Sequence, residues 1–191
     1  MSFGKRFECV DECSQCCIER EYYPSVKFGK IGVLILPEEK ERIEKLAKER
    51  NLDITILPRI SVSDNSGEPD EILAYQLMGI EENGNTCPFL DTASDARSPH
   101  GGFTCKIYDQ RPLACRAYPV IQSQPVELDA KCKFCQECGT ADSNLDSELE
   151  AIIQIKEKMN TSKSNIWRYA TGIGEGKDKT IIENGWRLEK K

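Results

Sequence analysis

A chain of 191 residues with 39% hydrophobic and 30% charged side chains has the size and balance of one folded domain, which excludes a large multidomain enzyme and a disordered polymer. Its net charge of −6 argues against nucleic acid as a main partner, because phosphate binding takes a surplus of Lys and Arg. The start, Met1 to Glu8, has no apolar run after its basic residues, and Ile31–Leu36 is far shorter than the roughly 20 residues a membrane span takes. A cytoplasmic protein with no membrane partner is therefore expected, in a compartment where thiols stay reduced.

The chain opens on a cysteine group, Cys9, Cys13, Cys16 and Cys17. After it, Gly32-Val-Leu-Ile-Leu36 reads as a buried strand, and Pro37-Glu-Glu starts a helix where a missing N–H costs nothing. That helix is predicted to run to about Arg50. Ile43, Leu46 and Ala47 form a narrow inward stripe, and Glu38/Arg42, Glu41/Lys45 and Glu44/Lys48 are Glu-first pairs on a solvated face. Strands are predicted over Asp53–Ile60 and Ile72–Leu77, joined by the loop Asp64–Pro69.

A turn at Glu81–Asn85 leads to Cys87, and from there to Cys138 the chain is rich in Pro and Gly. Such a stretch needs cross-links to hold a shape, and metal would supply them. A short helix is predicted to start at Pro112 and carry Cys115. The last cysteines are Cys132, Cys135 and Cys138. Leu145, Leu149, Ile152, Ile153, Ile155 and Met159 then line one face of a helix opened by Ser143–Asp146 as a capping box. From Thr171 a loose extension is expected, in which Gly172, Gly174 and Gly176 make a flexible turn and Ile181, Ile182 and Trp186 could dock. The fold class is α+β: a small metal-stapled domain over residues 1–170, with an extension over 171–191.

Cysteines two or three residues apart can turn their thiolates onto one ion, and a second group completes a tetrahedral set. Iron–sulfur clusters use the same donors at overlapping spacings, so zinc and an iron–sulfur cluster both stay open as the cofactor. All ten cysteines are candidate metal ligands: Cys9, Cys13, Cys16, Cys17, Cys87, Cys105, Cys115, Cys132, Cys135 and Cys138. Adjacent Cys16 and Cys17 are expected to point apart and not to share an ion. Pro112 sets a helix start whose dipole and N–H groups would favour a thiolate at Cys115, with Arg111 and Arg116 adding positive charge or making surface ion pairs. Phe89, Tyr108 and Tyr118 are read as shielding or core aromatics. His100, the single histidine, is a surface residue or the fourth ligand of a Cys₃His site. Asp91 and Asp109 are turn caps, partners of ligands, or oxygen ligands.

Cys9-x₃-Cys13-x₂-Cys16 also has the spacing of radical S-adenosylmethionine enzymes, but Gln15 precedes the third cysteine, Cys17 follows it at once, and no βα alternation builds their barrel. Three blocks in order carry a closer resemblance: Phe7-Glu-Cys9-Val-Asp-Glu-Cys13-Ser-Gln-Cys16-Cys17, Cys87-Pro-Phe-Leu-Asp91, and Cys105-Lys-Ile-Tyr-Asp-Gln-Arg111-Pro-Leu-Ala-Cys115-Arg-Ala-Tyr-Pro119. Over residues 7 to 138 the chain resembles the putative zinc- or iron-chelating CxxCxxCC family. The resemblance implies a small domain built on cysteines that hold zinc or iron, and a link to flagellin lysine N-methylase, in which a similar domain occurs. Those methylases are longer, and the Cys132/Cys135/Cys138 triplet is denser than the family's last block.

The function expected is a metal-binding module that is structural or docks an unidentified protein partner. The alternative is a metal- or cluster-dependent enzyme of the protein lysine methylase or redox type. That alternative needs an open ligand position and a substrate pocket.

Overall fold

The computed structural model describes residues 5–6, 13–18, 31–80, 86–97, 102–132, 143–171 and 185–189. Expectations for Cys9, Cys135, Cys138, His100, the turn at 81–85, the glycines from Gly172 to Gly176, and Ile181 and Ile182 lie outside the described residues. The architecture is α+β, as expected. Its elements are β1 (Lys5–Arg6), α1 (Gln15–Ile18), β2 (Val33–Ile35), α2 (Pro37–Glu49), β3 (Ile56–Ser63), β4 (Glu71–Leu77), β5 (Leu90–Asp91) and β6 (Thr104–Cys105). A 3₁₀ turn at Tyr108–Gln110 leads into α3 (Leu113–Ala117), followed by β7 (Val120–Ser123), β8 (Val126–Leu128), β9 (Ser143–Asn144), α4 (Asp146–Lys158), β10 (Asn165–Ala170) and β11 (Gly185–Leu188).

Five strands form an antiparallel sheet in the order β11-β10-β3-β4-β2. Strand β3 starts later than the sequence predicts and carries Pro58, which a central strand does not tolerate. β10 pairs with β3 only over Ile60–Ser63, so Pro58 lies outside that paired stretch, beside a register shift between Pro58 and Ile60 in the pairing with β4. Gln76 on β4, which pairs with Leu57, is fully buried; its Nε2 donates to the Pro58 carbonyl at 2.9 Å and its Oε1 accepts from Gly32 N–H at 2.9 Å. Gly32 lies so near β4 that a Cβ there would stand 2.2 Å from the Leu77 carbonyl oxygen.

Strand β2 alternates sides, as a period of two demands. Val33 and Ile35 join Ile43, Leu46 and Ala47 of α2, together with Leu77, Phe89 and Ile107, in the main core. Leu34 packs instead with a smaller core made by Ala117 of α3 and Ala151 and Ile155 of α4. Cys87, Cys105 and Cys115 pack against the main core, so the loop-rich cysteine segments rest on the β2–α2 unit.

Helix α2 ends where predicted, with Asn51 in the left-handed region at φ 53° and Leu52 N–H returning to the Ala47 carbonyl at 3.0 Å. Its charges are arranged differently from the expected pairs. Glu38 reaches Lys158 of α4 at 2.9 Å, Lys40 pairs with Glu44 at 2.7 Å, and Arg42 turns to Glu39 at 3.3 Å. Glu39 is not on a solvated face; it is buried.

At α4 the helix starts one residue after Leu145, and Ser143 is in β9, paired beside β1. Leu145 occupies the cap position, and Asn144 Oδ1 accepts the Asp146 N–H at 2.8 Å. Residues 185–188 of the expected extension form the edge strand of the large sheet, with Trp186 edge-on to Tyr169 at 5.2 Å.

Candidate metal centre

Short-range structure first brings the cysteines to one place. Helix α1 is a single turn, closed by Cys17 N–H to the Ser14 carbonyl at 2.8 Å, and it carries Cys16 and Cys17. Its C-terminal end is tied to the second block by Cys87 N–H donating to the Cys17 carbonyl at 2.9 Å. Leu90 then pairs with Cys105 across β5 and β6, and Lys106 N–H reaches the Phe89 carbonyl at 2.9 Å. Backbone pairing therefore fixes the Cys87 and Cys105 segments to each other before any ion is involved.

Helix α2 holds the rest of the third block. Arg50 Nε donates to the Lys106 carbonyl at 3.1 Å, and Arg42 donates to the Gln110 carbonyl. Glu39 spans two helix starts: one carboxylate oxygen accepts Leu36 N–H at 3.0 Å, and the other accepts Leu113 N–H, the first of α3, at 2.9 Å. This corrects the reading in which open N–H groups of the Pro112 helix serve the Cys115 thiolate, because Glu39 takes the leading one and Cys115 N–H bonds to the Pro112 carbonyl at 2.9 Å. Sequence reasoning missed Glu39 as a site residue. Its signal was there, in a Glu three residues after Leu36, at the capping-box position of a helix opened by proline.

The result is a cavity of about 100 Å³ lined by Cys13, Cys16, Cys17, Cys87, Cys105 and Cys115. All three sequence blocks contribute. None of the seven described cysteines forms a disulfide. The rest of the wall is mostly apolar or aromatic, including Val33, Leu77, Phe89, Phe103 and Ile107, and among the described residues Arg111 is the one charged residue in it. Arg111 stacks its guanidinium on the ring of half-exposed Tyr108, 3.7 Å from the centroid, and donates from Nε to the Tyr108 carbonyl at 2.8 Å. Arg116 is exposed on α3 and does not line the cavity. Phe89 is a core aromatic, 1% exposed.

Cys16 and Cys17 do not point apart as expected: their sulfurs are 3.9 Å from each other on the cavity wall. The edge of a tetrahedron with Zn–S bonds of about 2.3 Å is about 3.8 Å, so the pair already has the spacing of two ligands on one ion. The hydrogen bond with Cys16, then burial, then the nearby Cys16, Cys87 and Cys115 sulfurs hold the Cys17 thiol well above its ordinary pKa. Burial foremost raises the Cys105 thiol pKa, the Ile107 backbone hydrogen bond and Arg111 opposing it and Cys115 and Cys16 adding to it. Both are therefore neutral thiols at neutral pH in the metal-free chain. Among the described residues no three His, Cys, Asp or Glu side chains yet converge into a group that would hold an ion, so ligation requires the sulfurs to turn inward across the cavity. The donor set of the described residues, six thiols and no carboxylate on the wall, fits zinc or iron.

Cys132 stands apart from this group. It is buried, does not line the cavity, and is hydrogen-bonded to Tyr118, whose ring lies on the wall. Burial foremost, and then Cys132, Asp129 and Cys16, push the Tyr118 hydroxyl pKa far up, so it stays a neutral donor. Asp91 is a turn cap: it accepts from Ser94 Oγ at 2.7 Å and from the Ser94 and Ala93 N–H groups, and these bonds lower its pKa. Asp109 is exposed on the 3₁₀ turn and does not line the cavity.

The fold and site define a small α+β domain whose cysteine blocks are gathered around one thiol-lined cavity. The family described as a putative zinc- or iron-chelating domain, CxxCxxCC, matches residues 8–133, and the chain belongs to it. No curated protein and no solved structure matches the chain. Among the described residues no helix is long and apolar enough to cross a membrane.

Proposed function

We propose that this protein is a metal-binding module in which Cys16, Cys17, Cys87 and Cys115 hold a zinc or iron centre that cross-links the cysteine segments and presents a fixed surface to a protein partner. The observation that carries the reading is the convergence of cysteines from all three blocks on one cavity. Cys16 and Cys17 have the sulfur spacing of a shared ion, and Cys87 and Cys115 are near enough to Cys17 to act on its thiol electrostatically. When bound, the ion would contribute folding free energy, because the unfolded chain has no preformed site. The surrounding apolar wall would keep water from the ligands, and Arg111 would offset part of the negative charge of the thiolates.

The test is anaerobic purification followed by metal and acid-labile sulfide analysis, visible absorption, and unfolding with and without chelator. Bound zinc or iron, with a marked loss of stability when it is removed, is the expected result. A chain that carries no thiophilic metal and unfolds at the same midpoint with chelator overturns the reading. X-ray absorption distinguishes the enzyme alternative, since three sulfurs and one light atom around the metal would show the open ligand position that a catalyst needs.

A further inference from the structure

The described residues put six thiols on one wall, two more than a tetrahedral ion uses. Two tetrahedra that share an edge have six corners, the same number. Cys16 and Cys115 stand near both Cys17 and Cys105. Cys87 stands near Cys17, and Cys13 is buried on the same wall as Cys105. The space is also larger than one ion needs: a cavity of about 100 Å³ far exceeds the ~10–15 Å³ that admits one water by the same kind of measure.

We infer that the cavity takes two divalent metal ions in a thiolate-bridged centre, with Cys16 and Cys115 as the shared ligands, Cys17 and Cys87 completing one ion, and Cys13 and Cys105 the other. This rests on the metal-binding reading above and deepens it. Six thiolates with two divalent ions carry a net charge of −2, and the Arg111 guanidinium on the wall offsets half of it. The mostly apolar surroundings favour such a centre over hydrated ions, because they offer few polar groups to replace lost water. The six cysteines come from α1 and its preceding residues, the loop before β5, β6 and α3, so both ions tie the same loops to the β2–α2 unit.

The experiment is a titration of the metal-free full-length chain with cobalt(II) chloride under anaerobic conditions, followed by sulfur-to-cobalt charge-transfer absorption and electron paramagnetic resonance. Absorption should rise to two equivalents, and the high-spin signal present at one equivalent should fall as the second ion couples to the first through the shared sulfurs. Cys105→Ser and Cys13→Ser should each keep one uncoupled ion. Saturation at one ion, two ions whose signals simply add, or acid-labile sulfide in the isolated protein would each overturn the thiolate-bridged pair. The first two would leave the metal-binding reading standing, whereas binding of no cobalt at all would remove both. If a serine variant does not fold, the coupling measured in the unaltered chain decides alone.

Discussion

Replacing Glu39 with alanine should be among the most damaging single changes outside the cysteines. The carboxylate is buried and accepts two backbone N–H groups, from Leu36 at 3.0 Å and Leu113 at 2.9 Å, while Arg42 lies 3.3 Å from it. Hydrogen bonds to a charged acceptor contribute about 1.5–3 kcal/mol each. Alanine leaves both N–H groups unpaired, so a loss of about 3–4 kcal/mol is expected, equivalent to roughly 10 °C in Tm for a chain of this size. Glu38→Ala is the matched control. Glu38 is in the same first turn of α2 and shares the favourable helix dipole, but its side chain is 48% exposed and its pair with Lys158 is on the surface, where such pairs contribute at most about 1 kcal/mol. The hydrogen bond from Lys158 lowers the Glu38 pKa without changing that comparison. Urea unfolding of both variants gives the two free energies, and metal retention against a competing chelator should be weaker for Glu39→Ala because α3 carries Cys115. Midpoints within about 0.5 kcal/mol of each other would refute the assignment of Glu39 as the tie between α2 and the cysteine segment.

Gly32→Ala places a Cβ 2.2 Å from a backbone oxygen of β4, which cannot rotate away; a loss of about 2–3 kcal/mol by denaturant unfolding is expected, in the range of overpacked cores. Trp167→Phe removes the indole N–H that donates to buried Ser63 Oγ at 2.8 Å, and should lower stability by about 1–2 kcal/mol in the same assay. Zinc loading near neutral pH should release protons, since Cys17 and Cys105 are held neutral by thiol pKa values above the ordinary one. Raising the pH lowers the cost of removing those protons, so apparent affinity should increase by about tenfold per pH unit for each proton displaced. A competition titration between pH 6.5 and 8.5 with no such slope would mean that the thiols are not the ligands.

Much of the framework was legible because it is local. Gly32–Leu36 as a buried strand and Pro37 to about Arg50 as an amphipathic helix follow from periodicity and proline. Strands β10 and β11 carried no comparable signal: Asn165–Ala170 becomes a strand by pairing with Ser63–Ile60, and Gly185–Leu188 by pairing with β10. The same limit applies to Ser143, which pairs with Lys5 in a strand that no local signal marks.

For the site, spacing and block order were enough to indicate thiolate chemistry and the family, because ligand type is written in the side chains. Which cysteines meet is a tertiary matter. The Cys17–Cys87 backbone bond and the β5–β6 pair put Cys87 and Cys105 on the wall shared with α1, while Cys132 does not line the cavity. Glu39 and Arg42 of α2, with Arg50 just after it, look like a solvated charge run in the sequence. Only the packing of α2 against the loop from Lys106 to Leu113 makes them its clamps, since a buried carboxylate is defined by the N–H groups that long-range folding brings to it.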